Sequence, residues 1–404
     1  MLLRPRRIAE VWWISGGVLA LLLFRAFPLA TAVHAVLEGR DVYFFLIGMM
    51  LLAELAREVG VFAWLAGLAA RLANGSPTRL FSMTYVVGVL VTAFMSNDAT
   101  AVVLTPAVLA LTRACEIDPV PHLFACALIA NAASFLLPIS NPANLVVFQH
   151  GMPALFRWLA AFAFPSALAI IATYLVLRIF FQRELAGAIR ASPERAPLSG
   201  HARATLGALG AVIVILFVAS ARGAELGLPT LIAAAVAAGL VCLSARMNPW
   251  SLLRRVNWGV LILVGGLFVM ATAVERAGLL QATERWLSSA DQLPPLHRVL
   301  AVGGAVGVAN NLINNLPLGL LAEATLHAAH PTVLSIKATL LGIDLGPNLS
   351  VTGSLATILW LSSMRRDGVD VSFGRFLRVG VVAMPIALVS ALLASLVTAN
   401  VGAP

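Results

Sequence analysis

The sequence predicts an all-α polytopic membrane protein built as an inverted repeat, with two re-entrant hairpins and two broken transmembrane helices. Three observations lead there. The chain is 60% hydrophobic and only 11% charged over 404 residues, with a mean hydropathy of +0.94, whereas soluble domains sit near half apolar and a quarter charged. Apolar runs recur along the whole length, most of them near the ~20 residues that cross a bilayer as a helix. Four of these runs are interrupted at membrane depth by breaks rich in Asn, Asp, Gly and Pro, at matching spacings in the two halves.

Charge orders the segments. The net charge is +9 and Lys337 is the single lysine, so the excess comes from arginines that flank apolar runs. That is the pattern of cytoplasmic topology signals and gives no reason to expect a nucleic-acid partner. Arg4, Arg6 and Arg7 precede the run 11–30. Ala30-Thr31-Ala32 resembles a signal-peptide cleavage site, but the run is long enough to span and reads as an uncleaved first helix with a cytoplasmic N-terminus. The loop around Glu38, Arg40 and Asp41 is then external, and 42–56 returns. Glu54 and Arg57 fall at its cytoplasmic end, where snorkelling accounts for them. Segment 58–72 reads as an interfacial helix. Run 80–112, interrupted at Ser96-Asn97-Asp98, has cytoplasmic arginines on both flanks and reads as a re-entrant hairpin. Run 122–148, with Pro138-Ile139-Ser140-Asn141-Pro142 inside it, reads as a broken span, and 154–181 returns to the cytoplasm.

Residues 182–204 hold Arg183, Arg190, Arg195 and Arg203 with little hydrophobicity, and read as a cytoplasmic linker between a first repeat (1–181) and a second (205–404). The second repeat offers spans at 205–222, 228–245 and 257–274, and an interfacial helix at 277–290. An externally entering hairpin follows at 299–328, then a broken span at 332–362 and a last span at 379–400. Threaded this way the chain makes nine full crossings and two hairpins, and its C-terminus is external.

The repeat rests on spacing and element order. Gly60 to Asn97 and Gly278 to Asn315 are both 37 residues, while Asn131 to Asn141 and Asp344 to Ser354 are both ten. An odd number of crossings separates the hairpins, so they enter from opposite faces. Such inverted repeats place substrate near the midplane, at the discontinuous helices.

A break inside hydrocarbon exposes backbone N–H and C=O groups that lipid cannot satisfy, so it survives only in contact with protein or a wet cavity. Four corresponding breaks imply one shared site. The first half supplies Ser96, Asn97, Thr100, Asn131, Ser140, Asn141 and Asn144 as candidate substrate ligands, and the second Asn314, Asn315, Asn348, Thr352 and Ser354. Amides and hydroxyls both donate and accept, which suits a neutral polyhydroxy solute. Two carboxylates lie at membrane depth, Asp98 and Asp344, and are the candidates for proton coupling. Both also have a structural reading, Asp98 as a helix N-cap and Asp344 as a partner of the Gly346-Pro347 break. Cys115, Cys126 and Cys242 are dispersed and the histidines show no ligand spacing, so no metal site of the cysteine/histidine kind is expected. No HExxH, GxSxG or cofactor motif is present, so neither enzyme chemistry nor a cofactor is expected.

At these breaks the sequence resembles the arsenical pump membrane protein family of the ion transporter superfamily. The stretches that carry the resemblance are Ser96–Pro106, Ile139–Asn144, Asn314–Pro317 and Gly342–Thr357, the last being the most specific. It covers the chain from about residue 40 onward. The resemblance implies a secondary transporter of the bacterial inner membrane that exports trivalent arsenite and antimonite in exchange for protons, in some members with a soluble arsenite-stimulated ATPase. Sodium/proton antiporters and carboxylate or anion carriers of the same superfamily are the alternative it leaves. Arsenic(III) would be the substrate, held by hydrogen bonds to its hydroxyls, because three dispersed cysteines do not make a three-sulfur site.

Overall fold

The computed structural model describes residues 10–24, 27–149, 151–189, 198–276 and 278–399. Arg4, Arg6 and Arg7, the linker arginines Arg190 and Arg195, and the last five residues lie outside the described residues, and with them the signals placing both termini. The described chain is helical, with no strand among those residues.

The first expected span is two helices. α1 (Glu10–Leu23) stops short, and α2 (Leu29–Glu38) begins after Pro28, which has no N–H to continue a helix and disfavours helical backbone before it. The expected loop at Glu38–Asp41 is instead a junction at Gly39, from which α3 (Arg40–Glu58) starts at once. A Cβ at Gly39 would stand 2.6 Å from the Phe268 ring. α4 (Val61–Ala73) follows a left-handed Gly60. α5 (Pro77–Phe94), capped by Ser76, runs to the first break. Beyond the break come α6 (Asn97–Ala99), a π-helical turn Thr100–Leu104 and α7 (Thr105–Ala114). Pro106 explains the π turn, because its missing N–H removes the helical bond one turn back.

α8 (Val120–Ala132) and α9 (Pro142–Val147) are separated by the second break, and α10 (Leu155–Phe180) follows. The second half has α11 (Gly200–Ala221), α12 (Gly227–Ala245), α13 (Pro249–Arg255), α14 (Gly259–Arg276) and α15 (Leu279–Asp291). Then come α16 (Pro295–Ile313) and α17 (Asn315–Ala329), α18 (Val333–Leu345) and α19 (Leu355–Arg366), and α20 (Phe373–Val397). Two helices start earlier than expected because a serine caps each. Ser199 accepts from Ala202 N at 3.0 Å and starts α11 at 200 rather than 205, and Ser372 accepts from Arg375 N at 3.2 Å and starts α20 at 373 rather than 379.

Six described helices, α5, α10, α11, α12, α16 and α20, are long and apolar enough to cross a membrane. The pair α13/α14, bent by 45°, adds a seventh if read as one span.

Packing sorts the helices into two groups. α1, α2, α3, α11, α12, α13 and α14 pack among themselves, chiefly α3 on α12 and α1 on α14. The remaining helices form the second group, with α10 on α20, α16 on α18 and α5 on α8 as main contacts. The groups meet where α3 and α14 lie against α4, α9, α15 and α17, and where α11 lies against α4 and α10. Contacts recur across the halves: α9 lies on α17 beyond the break of one half, and α19 lies on α6 and α7 beyond that of the other.

α16 and α18 approach most closely through Gly303 and Gly307 on α16 and, opposite them, Gly342 of α18 and Gly346, which caps α18. A Cβ at Gly342 would stand 2.8 Å from the Gly303 carbonyl, and one at Gly346 would stand 2.5 Å from that of Gly307. Small residues four apart on both faces are the usual device for close helix contact in a membrane.

Candidate functional site

Each of the four breaks ends at the start of a helix, and the spacings read from the sequence mark equivalent places. Gly60 and Gly278 are the left-handed N-caps of α4 and α15. Asn97 and Asn315 are the first residues of α6 and α17. Asn131 and Asp344 are the penultimate residues of α8 and α18, and Asn141 and Ser354 are the N-caps of α9 and α19. Ser96 accepts from Ala99 N at 3.1 Å, Asn141 from Ala143 N at 3.0 Å and Ser354 from Thr357 N at 3.1 Å. Helix starts leave N–H groups unpaired and carry a partial positive charge.

All four breaks meet at one small cavity. It is lined by Asn97, Asp98, Asn141, Pro142, Asn315, Leu316, Leu355 and Ala356, and on the far wall by Leu46 of α3. The cavity therefore sits between the two packing groups, and among the described residues no arginine or lysine lines it. Asn315 is 2% exposed, and its Oδ1 is buried with no hydrogen-bond partner. Asn97 is equally buried and uses its Oδ1 to accept from Asp98 N at 2.9 Å.

A larger cavity adjoins it, sharing Leu46, Asp98 and Pro142 and continuing past Met49, Met50 and Ala53 to Glu54 and Asn257. Glu54 is thus half-buried on a cavity wall, where it pairs with Arg57 at 2.5 Å. Arg255 of α13 pairs with Glu58 beside it. A third cavity, near the other end of α3, is lined by His34, Glu38, Arg40, Asp41, Val42, Leu145, Gln149 and Glu225.

The other expected site residues lie behind these walls, bonded to one another. Asn131 Nδ2 donates to Asn348 Oδ1 at 3.0 Å, and Ser354 Oγ donates to Asn131 Oδ1 at 3.3 Å. Asn348 Nδ2 donates to the Leu128 carbonyl at 3.0 Å. Asp344 is 0% exposed; its Oδ1 lies 2.5 Å from both Ser134 Oγ and Asn141 Nδ2, and its Oδ2 has no partner. Asn144 Nδ2 reaches the Ser134 carbonyl at 2.9 Å and Ser140 Oγ the Ala93 carbonyl at 3.0 Å. Thr100 Oγ1 lies 2.8 Å from Thr92 Oγ1 within the first interrupted unit. Asn314, at a φ of +73°, donates to the Thr352 carbonyl at 3.1 Å, and Thr352 Oγ1 donates to the Asn311 carbonyl at 3.0 Å. Of the fourteen residues expected at the site, then, Asn97, Asp98, Asn141 and Asn315 line the central cavity and Ser96 the adjoining one.

Sequence reasoning missed Ser134, Thr357 and Ser350, which complete the buried network. It also missed the α3 wall, although Leu46, Met49, Met50, Ala53 and Glu54 recur at the spacing of one helical face. The three cysteines are buried and line none of these cavities.

A multi-pass helical chain whose broken helices meet at a cavity between two packing groups has the architecture of a membrane transporter. The chain belongs to the citrate transporter family, whose model matches residues 8–343. It is also similar to the arsenical pump membrane proteins of Yersinia enterocolitica, 28% identical over 354 residues (83% of this chain, 81% of that protein), and Escherichia coli K12, 26% identical over 352 residues with the same coverage. An uncharacterised transporter of Mycobacterium tuberculosis is 26% identical over 368 residues, 86% of this chain and 84% of its own. The resemblance drawn from the breaks therefore holds. In fold the chain is similar to the Alcanivorax borkumensis YdaH transporter, whose crystal structure reveals an unusual topology. The TM-score is 0.60 at 16% identity, over 92% of this chain and 87% of the other.

Proposed function

We propose that this transporter exports trivalent arsenite and antimonite across the bacterial inner membrane in exchange for protons. One observation carries the reading: the central cavity is lined by amides, apolar side chains and the single carboxylate of Asp98, with no cationic side chain. Arsenite at neutral pH is mostly the uncharged trihydroxide, and each of its hydroxyls both donates and accepts. Asn97 and Asn315 offer donors, and Asp98 and the unpaired Asn315 Oδ1 offer acceptors. The names of the arsenical pump relatives support the same substrate.

The carboxylate alternative is favoured by the family's description. A citrate-like anion would bring acceptor oxygens against Asp98 and Asn315 Oδ1, which costs binding energy in a desolvated site. The recurring contacts across the halves support two inverted repeats, with α5–α7 and α16–α17 as the hairpins. Transport then moves the group carrying the breaks against the α3 wall. The deciding experiment measures uptake of arsenite, antimonite and citrate into everted vesicles, with and without a proton gradient. Gradient-driven arsenite and antimonite uptake is expected; gradient-driven citrate uptake with no arsenite signal would overturn the reading.

A further inference from the structure

We propose that Asp98 alone couples substrate to protons, because either a proton or a substrate hydroxyl can occupy its carboxylate, but not both, while Asp344 is a structural tie. The inference rests on the proton-exchange reading above and separates two acids that the sequence offers on equal terms. Their surroundings differ in kind. Asp98 lines the central cavity and the adjoining one, so it touches both the place where substrate sits and the space that leads away from it. Among the described residues its carboxylate accepts no hydrogen bond; only its backbone N–H is engaged, by Asn97. Asp344 lines none of the described cavities. It is fully buried and holds α18 to the first broken helix through Ser134 and Asn141.

A half-buried carboxylate at a cavity junction has two uses, and they exclude each other. Ionised, it accepts a hydrogen bond from a substrate O–H, as charged acceptors do strongly. Protonated, it gives up that acceptor site and carries no charge. Substrate binding therefore expels one proton into the adjoining cavity, and proton uptake on the other side expels the substrate. That is exchange by competition at a single oxygen pair, and it needs no second titrating site.

Other titratable groups lie on the elements around Asp98. They are Arg79 and Tyr85 on α5, Arg113 on α7, His122 and Cys126 on α8, Arg254 and Arg255 on α13, Glu323 and His327 on α17, Arg365 and Arg366 on α19, and Arg40, Asp41, Tyr43, Glu54, Arg57 and Glu58 on α3. Of these only Glu54 shares a cavity with Asp98, and Arg57 pairs with it at 2.5 Å.

The test is arsenite binding by the purified full-length chain, followed by calorimetry from pH 5 to 8. The wild type is expected to lose about tenfold in affinity per pH unit on the acid side, as a competing proton requires. Asp98→Asn keeps an acceptor oxygen without the proton, so its affinity should be independent of pH. Asp344→Asn should retain the wild-type slope. A wild-type slope in Asp98→Asn, a flat profile in Asp344→Asn, or loss of binding at every pH by folded Asp98→Asn would overturn the proposal. If Asp98→Asn fails to fold, Asp98→Glu takes its place and should keep the slope with a displaced midpoint; a flat profile refutes it. Infrared difference spectra of vesicles at acid and alkaline pH read the proton side without substrate. A carboxyl band lost in Asp98→Asn (or displaced in Asp98→Glu) and kept in Asp344→Asn supports the assignment, and the reverse overturns it. Failure of the wild type to bind arsenite at any pH would refute the substrate reading instead, leaving the infrared comparison to judge Asp98.

Discussion

The close approach of α16 and α18 makes Gly346 a sharp test of how the second half is held together. Gly346→Ala would place a methyl group 2.5 Å from the Gly307 carbonyl oxygen, 2.8 Å from Gly307 Cα and 3.0 Å from Asn310 Cβ. Two of these are backbone atoms, which cannot rotate away, so the helices must part by roughly 1 Å to restore ordinary contact. That movement also reaches the polar contacts between the helices. Asn311 Nδ2 stands 3.0 Å from the Gly346 carbonyl and Asn310 Nδ2 stands 2.5 Å from that of Ile343. A 1 Å separation takes the first to about 4 Å, beyond hydrogen-bonding range. Overpacking costs about 1–3 kcal/mol, and a buried amide left without its partner about as much again. The expected loss is therefore about 3 kcal/mol or more, seen as a fall in denaturation temperature in detergent on the order of 5 °C. Gly304→Ala on the facing helix α16 is the control, since a Cβ there meets nothing within 4 Å. If the two variants melt together, the packing argument is refuted.

Three further outcomes are expected. A variant with Cys115, Cys126 and Cys242 all replaced by alanine should still transport arsenite in vesicles, because none of them lines the cavities described above; complete loss in a folded variant would sink the hydrogen-bond model. Asn315→Leu removes both ends of an amide that borders the central cavity and should weaken arsenite binding at least tenfold, as expected for losing about 1.5 kcal/mol of hydrogen bonding; an unchanged affinity would exclude Asn315 as a ligand. Burial alone would raise the Asp291 carboxyl, but the hydroxyls of Ser335 and Thr332, the Thr332 N–H and Arg298 outweigh it and hold the group below its usual range. A depressed value stabilises the fold above the unfolded carboxyl's pKa of about 3.9 and is lost as the pH falls through the folded value. Asp291→Asn should therefore melt below the wild type at pH 7, with a gap that closes below about pH 4; a gap independent of pH would contradict the assignment.

The helical elements and their breaks were legible because they depend on local chemistry. A run of apolar residues interrupted by Ser96-Asn97-Asp98 or Gly346-Pro347-Asn348 has few other ways to fold in a membrane. The 37-residue spacing located equivalent caps because left-handed glycines and helix-starting asparagines are read one residue at a time. Local chemistry could not separate wall from scaffold. Asn131 and Asn315 are the same residue type at equally polar breaks, yet Asn131 is spent on Asn348 and Ser354 while Asn315 keeps an unpaired oxygen. That difference depends on which half-helix lies opposite, a contact more than 200 residues away for Asn131. The split of the first span was readable at Pro28 in hindsight, but hydropathy averaged over about 20 residues conceals one proline.

How one scaffold can serve substrates as different as citrate and arsenite follows from where the atoms sit. The helix starts supply N–H groups that any oxygen-bearing solute can use, and the glycine contacts and the buried Asn131–Asn348–Ser354 network hold those starts in place without touching the cavity. Neither feature distinguishes one oxygen ligand from another. On the proposed reading, discrimination is left to the cavity-lining residues just past two of the breaks, Asn97 and Asp98 at one and Asn315 and Leu316 at the other. A carboxylate among them is the least suitable choice for a multiply charged anion and a good one for a solute whose hydroxyls need acceptors. On that reading the positions that decide the substrate are two short pairs, one in each half. Exchanging Asp98 for a neutral or basic residue is the smallest change that could move this scaffold toward anions without disturbing the network behind it.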